Sequence, residues 1–362
     1  MTADDTVIEL HAERFGDRET VLARFAGLTA TTFRYCSGVA GLRIANADGS
    51  IVALPFQGQQ IWDATFFGRQ LTMRSLFDEP LDTDDFYRTY GGFFLHCGAL
   101  AMGDAAAADT HPVHGELPNA RYQQAWLSTG RDAAGPFMRL HGSYHHRVAF
   151  HHHYAAEPTI TMRSKGGRID TEMHVRNLRH VPMDLMYLAH INFRPIDGAR
   201  LVDTVAEDGA GIHLRTGLPG ALVASDAYRR LIALLTTNPG AHRTMLPEID
   251  PELVLALDTT ADAAGWANGM QLLPDGSADF VSYRPSELDH CLRWITRTPE
   301  MDALGLMLPA TAEADGYIAE KAKGNVRSLA PGAGFRCSVS FGALDPAAAA
   351  AVLEHIESAR RP

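Results

Sequence analysis

The chain has 362 residues, of which 46% are hydrophobic and 21% charged, and carries a formal charge of −11 from 32 Lys+Arg against 43 Asp+Glu. That composition supports a globular protein with a substantial core. The acidic balance excludes the basic face that nucleic acids require, and no run of like charges marks a membrane-surface patch. No apolar stretch reaches the ~18 residues needed to span a bilayer. The N-terminal MTADDTVIELHAERF is acidic and lacks the apolar segment of a secretory signal. Four cysteines, Cys36, Cys97, Cys291 and Cys337, stand without CxxC spacing. Together these features predict a cytoplasmic protein with reduced thiols and with neither nucleic acid nor membrane as a partner.

In chain order, RETVLARFAGL near residue 20 has the apolar spacing of a helix. GLRIANADGSIVALPF (41–56) then reads as two strands about an ADGS turn, and TITMRSKGGRIDTEMHVRN (159–177) as two more about SKGG. In TEMHVRN, Met173 and Val175 share one face while Glu172, His174 and Arg176 share the other, the mark of a strand buried on one side. DAYRRLIALL near residue 230 again has helical spacing, FRCSVSFGAL (335–344) is strand-like, and DPAAAAAVLEHIESARR closes the chain as a helix. There Asp345 caps, Pro346 fills the first turn and arginines occupy the last. GDAAAAD (103–109) is the one low-complexity linker. Many short strands with helices at the margins predict a mainly β, antiparallel sandwich. We read a single domain over 41–362 and an N-terminal accessory segment over 1–40.

Nucleotide sites lack support. There is no GxxxxGKS/T loop, and GAG at 209–211 has neither the third glycine nor the strand–turn–helix setting of a dinucleotide fold. HExxH and GxSxG are also missing. Chemistry-bearing residues instead gather in histidine-containing segments. FYRTYGGFFLHCGALAMG holds Arg88 and His96 beside glycines, HPVHGELPN holds His114, Glu116 and Asn119, and NLRHVPMDLMYLAHINF holds His190 and Asn192. Alternation along that last, strongly apolar strand points His190 and Asn192 the same way, with Met186 and Leu188. A titratable ring there is either a satisfied core histidine or an acid–base group. HGSYHHRVAFHHHYAAEP is richer in histidine, with His145, His146 and His151 to His153. Consecutive strand residues alternate sides, so at most two of the triplet converge, and no nearby carboxylate or cysteine completes a metal set.

The order GGFFLHCG, HPVHGELPNA, VRN with a following proline and HINF, then LPATAEADG and LAPGAGF resembles the aldose 1-epimerase (galactose mutarotase-like) superfamily. Its less characterised bacterial aldose-1-epimerase-like members are the nearer match. The resemblance covers about residues 50–345, and the His114 and His190 motifs are its most specific parts. It implies a β-supersandwich with a few peripheral helices, and an isomerase that interconverts the anomers of a sugar without metal or organic cofactor. It also implies His190 as general acid, and Arg88, His96, His114, Glu116 and Asn192 as sugar-binding residues. Mutarotation needs one group to take the proton of the anomeric hydroxyl and another to protonate the ring oxygen, and histidine titrates close to neutral pH. Superfamily members usually carry the general base as a glutamate before a proline in a late strand. In GLMLPATAEADG that position is Leu308, and Glu313 is the nearest following glutamate. Five extended residues span roughly 16 Å, so Glu313 acts as base only across a bend or bulge. Glu116 is the next choice. Three alternatives stay open: a sugar-binding or regulatory protein that keeps the pocket without turnover, an epimerase acting at another sugar carbon, and a metal-dependent isomerase built on the 145–153 histidines.

Overall fold

The computed structural model describes residues 6–106, 108–206, 208–218 and 224–360. The first five residues of the acidic N-terminal stretch and Ala107 of GDAAAAD lie outside the described residues. Among the described residues the strands form two sheets, one of nine strands and one of thirteen, in which neighbours pair antiparallel. Helices stay peripheral: Asp226–Thr237, the seven-residue Tyr317–Lys323, and Pro346–Arg360. No helix is long and apolar enough to cross a membrane.

Local chemistry sets the elements. NADG closes the hairpin between Ala40–Ala45 and Gly49–Ala53, with Asn46 Oδ1 accepting from the amides of Asp48 and Gly49 at 2.8 and 2.9 Å. Gly167–Asn177 alternates buried and accessible residues along its whole length, so one face meets the core. Ser225 caps the Asp226–Thr237 helix by accepting from Tyr228 N, and Asp345 does the same for the last helix by accepting from Ala348 N. One expectation fails. RETVLARFAGL is no helix: Thr20–Phe25 is a strand that pairs with Leu28–Arg34. Ala26 (φ 48°) and Gly27 (φ 88°) both take left-handed backbone, the pattern of a two-residue hairpin turn, and that turn overrides the ambiguous apolar spacing. Within the first 40 residues, Thr6–Leu10 borders the nine-stranded sheet and Thr20–Phe25 ends the thirteen-stranded one.

The Met183–Ile191 strand lies inside the thirteen-stranded sheet, between Phe94–Ala99 and Asp302–Ala310. It is buried on both faces. Tyr187 packs against Phe335 of the other sheet, with ring centroids 5.8 Å apart, so odd-numbered residues of this strand face the inter-sheet core. Leu188 and His190, one residue out of phase, face the opposite side, which the segments carrying Phe86, Tyr90 and His114 cover.

Candidate active site

His190 opens onto a cavity of about 220 Å³ whose lining also includes His114, Tyr90, Trp294, Glu252 and Arg215. Its floor is formed by four successive strands of the thirteen-stranded sheet: Ile249–Leu257 gives Glu252, His290–Arg297 gives Trp294, Asp302–Ala310 gives Leu308, and Met183–Ile191 gives Leu188 and His190. The roof comes from the loops on either side of Phe94–Ala99.

His114 owes its position to backbone shape. It takes φ 57°, and Gly115 follows at φ 78°. A Cβ on Gly115 would stand 2.3 Å from the carbonyl oxygen of Ala101, so only glycine fits there. The amide of His114 donates to Gly103 O and its carbonyl accepts from Gly98 N, both at 2.9 Å. The turn so fixed holds the His114 ring edge-to-face on His190, with centroids 5.5 Å apart. Tyr90 and Trp294 meet His190 edge-on as well, at 5.7 and 5.6 Å. The indole N–H of Trp294 donates to Glu252 Oε2 at 2.7 Å, so this ring joins the histidine wall to the carboxylate wall.

Burial dominates the electrostatics. It lowers His190 to about 3, with the neighbouring His114 adding to the effect while a hydrogen bond to Asn192 opposes it. Burial also lowers His114, to about 4, against the pull of Asp104. Both rings are therefore neutral imidazoles at pH 7. Burial acts the other way on an acid and raises Glu252, although the Trp294 N–H and Arg215 favour its carboxylate. The Nδ1 atoms of His114 and His190 are buried and have no partner among the described residues.

The expected residues fall into three groups. His190, His114 and Asn192 come together: Asn192 directly follows the strand, fully buried, and its Oδ1 accepts from the Tyr90 hydroxyl at 3.3 Å. Glu116 and His96 lie nearby but outside the cavity. Glu116 accepts from the amides of Ala99 and Leu100 and from Tyr154 Oη, and borders a separate hollow of about 770 Å³ with His146, His152 and Arg179. His96 sits opposite Ala189 in the strand register, hence on the inter-sheet side, where its Nδ1 meets Tyr187 Oη at 2.7 Å. Glu313 and Arg88 are turned elsewhere. Ala314 lines the cavity, but the Glu313 carboxylate pairs with Lys323 Nζ at 2.6 Å, together with Asp315 and Glu320. Arg88 is exposed at the end of the short 3-10 turn Phe86–Arg88. In the histidine-rich hairpin, His145 and His153 share one face with rings 6.0 Å apart, and His146 and His152 the other at 6.2 Å.

Sequence reasoning missed Glu252 and Arg215. The Glu252 signal was present in weak form: in IDPELVLAL alternation puts Glu252, Val254 and Ala256 on one face, a carboxylate on an otherwise apolar stripe. Arg215, in a loop after a three-residue strand, had none.

Comparison with protein-family models matches residues 36–343 to the family described as "Domain of unknown function (DUF4432)". No curated protein matches the chain in sequence. Among solved structures, a Klebsiella pneumoniae protein provisionally named an aldose 1-epimerase superimposes with a TM-score of 0.83 at 17% identity, covering 99% of this chain and 96% of its own. A galactose mutarotase-like protein from Clostridium acetobutylicum gives 0.60 at 13%, covering 89% and 100%. An Escherichia coli K12 protein, also provisionally named an aldose 1-epimerase, gives 0.51 at 14%, covering 88% and 99%. At these identities the likeness is one of fold: the chain has the galactose mutarotase-like β-sandwich.

Proposed function

The chain belongs to the DUF4432 family, and on that footing we propose that it is an aldose 1-epimerase acting on a free monosaccharide, with His190 and Glu252 as its acid–base pair. One observation carries the reading. A buried imidazole and a half-buried carboxylate line one small cavity from strands three positions apart, joined across its floor by Trp294. Three inter-strand spacings separate their backbones by about 14 Å, which leaves room for a sugar ring between two side chains. About 220 Å³ is below the range usual for drug-sized ligands and suits a single ring.

In the reaction, one member of the pair takes the proton of the anomeric hydroxyl while the other gives one to the ring oxygen. The ring opens, the C1–C2 bond turns, and the reverse transfers close it on the other face. Trp294 and Tyr90 offer apolar ring surface to the sugar, and His114 and Arg215 offer hydrogen-bond donors and acceptors to its hydroxyls. Glu252 replaces Glu313 as the base candidate because the Glu313 carboxylate is already held by Lys323.

Leu308 supports a second reading. Leu188 pairs with Ala310, and continuing that antiparallel register brings Leu308 opposite His190, where relatives place their glutamate. A protein that binds sugar without turning it over would look like this on that wall. Polarimetry on freshly dissolved α-anomers separates the two. The enzyme reading expects faster approach to rotational equilibrium than in buffer, a loss of at least ~100-fold in His190→Asn and Glu252→Gln, and unchanged rates in Glu313→Gln. No acceleration across a broad panel of aldoses, with binding retained, overturns it in favour of the binding protein.

A further inference from the structure

The histidine-rich hairpin contributes nothing to the lining of the His190 cavity, and with the loop after Asn177 it builds a second hollow. That hollow measures about 770 Å³, within the usual range of small-ligand sites, against about 220 Å³ for the cavity at His190. The 111–116 segment divides the two: His114 lines the cavity, while Pro112 and Glu116 line the hollow. On the hairpin side, His146 and His152 share one face with rings 6.2 Å apart, and His151 and Arg179 extend that wall.

Arg179 is held at both ends. Its amide donates to Oδ1 of the fully buried Asn177 at 2.9 Å, and its Nη1 donates to His151 O. Among the described residues no carboxylate pairs with it. The acids bordering the hollow are engaged elsewhere. Asp184 accepts from Tyr317 Oη and Lys321 Nζ at 2.6 and 2.7 Å, and Asp109 from the amides of Ala106 and Ile318 at 3.2 and 3.1 Å. Glu116 accepts from Tyr154 and two amides, and burial raises its carboxyl to about 7, so it is mostly protonated at pH 6. The field at the hairpin wall is positive: burial lowers His152, and His151 and Arg179 lower it further. Leu100, Ala101, Met183 and Ile318 make much of the remaining lining apolar.

We propose that this hollow binds a small organic anion, its carboxylate or phosphate head on Arg179 beside His146 and His152, and its apolar body against Leu100, Met183 and Ile318. The planar guanidinium matches the paired oxygens of either head group, and the imidazoles add N–H donors. Because Arg179 is anchored before the ligand arrives, little side-chain freedom is lost on binding. A metal cation would stand against that guanidinium, and a neutral sugar would leave it without a counter-charge. The hollow supplies no group to the acid–base pair, so this inference does not depend on the proposed function.

The test is isothermal titration calorimetry on the full-length protein at pH 6 and low salt, with benzoate, phenyl phosphate, inorganic phosphate and benzyl alcohol as probes. Benzoate or phenyl phosphate is expected to bind with a Kd below about 1 mM, and whichever binds more tightly identifies the head group. Inorganic phosphate lacks the apolar body and benzyl alcohol lacks the charge, so each is expected to bind at least ~10-fold more weakly. Arg179→Gln is expected to weaken binding at least ~10-fold. Since Arg179 also holds the hairpin through His151 O, Ile318→Glu at an exposed helix position is the second variant. It sets a negative charge against the ligand and is expected to weaken binding about tenfold, with an unchanged circular dichroism spectrum. No binding of either aromatic anion at about 10 mM overturns the inference. So does benzyl alcohol or inorganic phosphate binding as tightly as they do, or an affinity that neither substitution changes.

Discussion

Replacing Glu116 by Gln is expected to stabilise the protein, and to do so only on the alkaline side. Burial pushes the Glu116 carboxyl from its ordinary 4.5 up to about 7, even though Tyr154 and the amides of Ala99 and Leu100 donate to it. The sign follows from proton counting. Between those two values the folded state holds a proton that the unfolded state has released, so stability present below pH 4.5 is lost as the pH rises toward 7. The loss is less than about 1 kcal/mol at pH 5 and approaches about 3 kcal/mol at pH 8. Gln keeps an oxygen to accept at the position of Oε1 and cannot ionise. Guanidinium unfolding of both proteins, followed by tryptophan fluorescence, should show near-coincident curves at pH 5 and a more stable Glu116→Gln at pH 8. Because every other titrating group is common to both proteins, their difference isolates this carboxyl. A difference that does not change with pH, or a variant less stable at pH 8, refutes the reasoning.

Arg293 is completely buried and donates to Asp203 Oδ2, to Leu306 O and to the His242 ring at 2.8–2.9 Å. Arg293→Met strips a buried charge of its main partner and should cost about 3–5 kcal/mol in urea unfolding, and a cost under 1 kcal/mol would contradict it. Of the four cysteines only Cys36 is exposed. A thiol reagent should therefore titrate one group per native chain and four after denaturation, and a second fast thiol in the native protein would contradict the burial of Cys97, Cys291 and Cys337.

The fold was readable because a half-buried strand repeats every two residues and the hairpin turns carry their own chemistry, as in NADG and SKGG. RETVLARF misled because Val21, Leu22 and Phe25 fit a helix face as well as a strand, and only the partner strand Leu28–Arg34 decides between them. Half of the candidate site was readable for the same reason. Alternation alone sets His190 and Asn192 side by side, and a histidine followed by glycine hints at a special turn. It could not separate His96 from His190. Both are histidines on apolar strands, and what distinguishes them is that Ala189, a core-facing residue, stands opposite His96. Alternation marked Glu252 only as a carboxylate on an apolar stripe; the order of strands in the sheet, and not distance along the chain, sets it in the same cavity as His190.

Leu308 has a practical consequence for the choice of sugars to assay. Opposite His190 in the strand register, at the position the superfamily motif reserves for a glutamate, this cavity offers leucine methyl groups and no carboxylate. The carboxyl group in this cavity's lining belongs to Glu252, which the indole N–H of Trp294 holds. Under the proposed pairing of His190 with Glu252, a sugar would sit differently relative to Arg215 and His114 than one placed against Leu308. A sugar panel for this protein is therefore best chosen from its own cavity, by size and by the groups that Glu252, Arg215 and His114 present there.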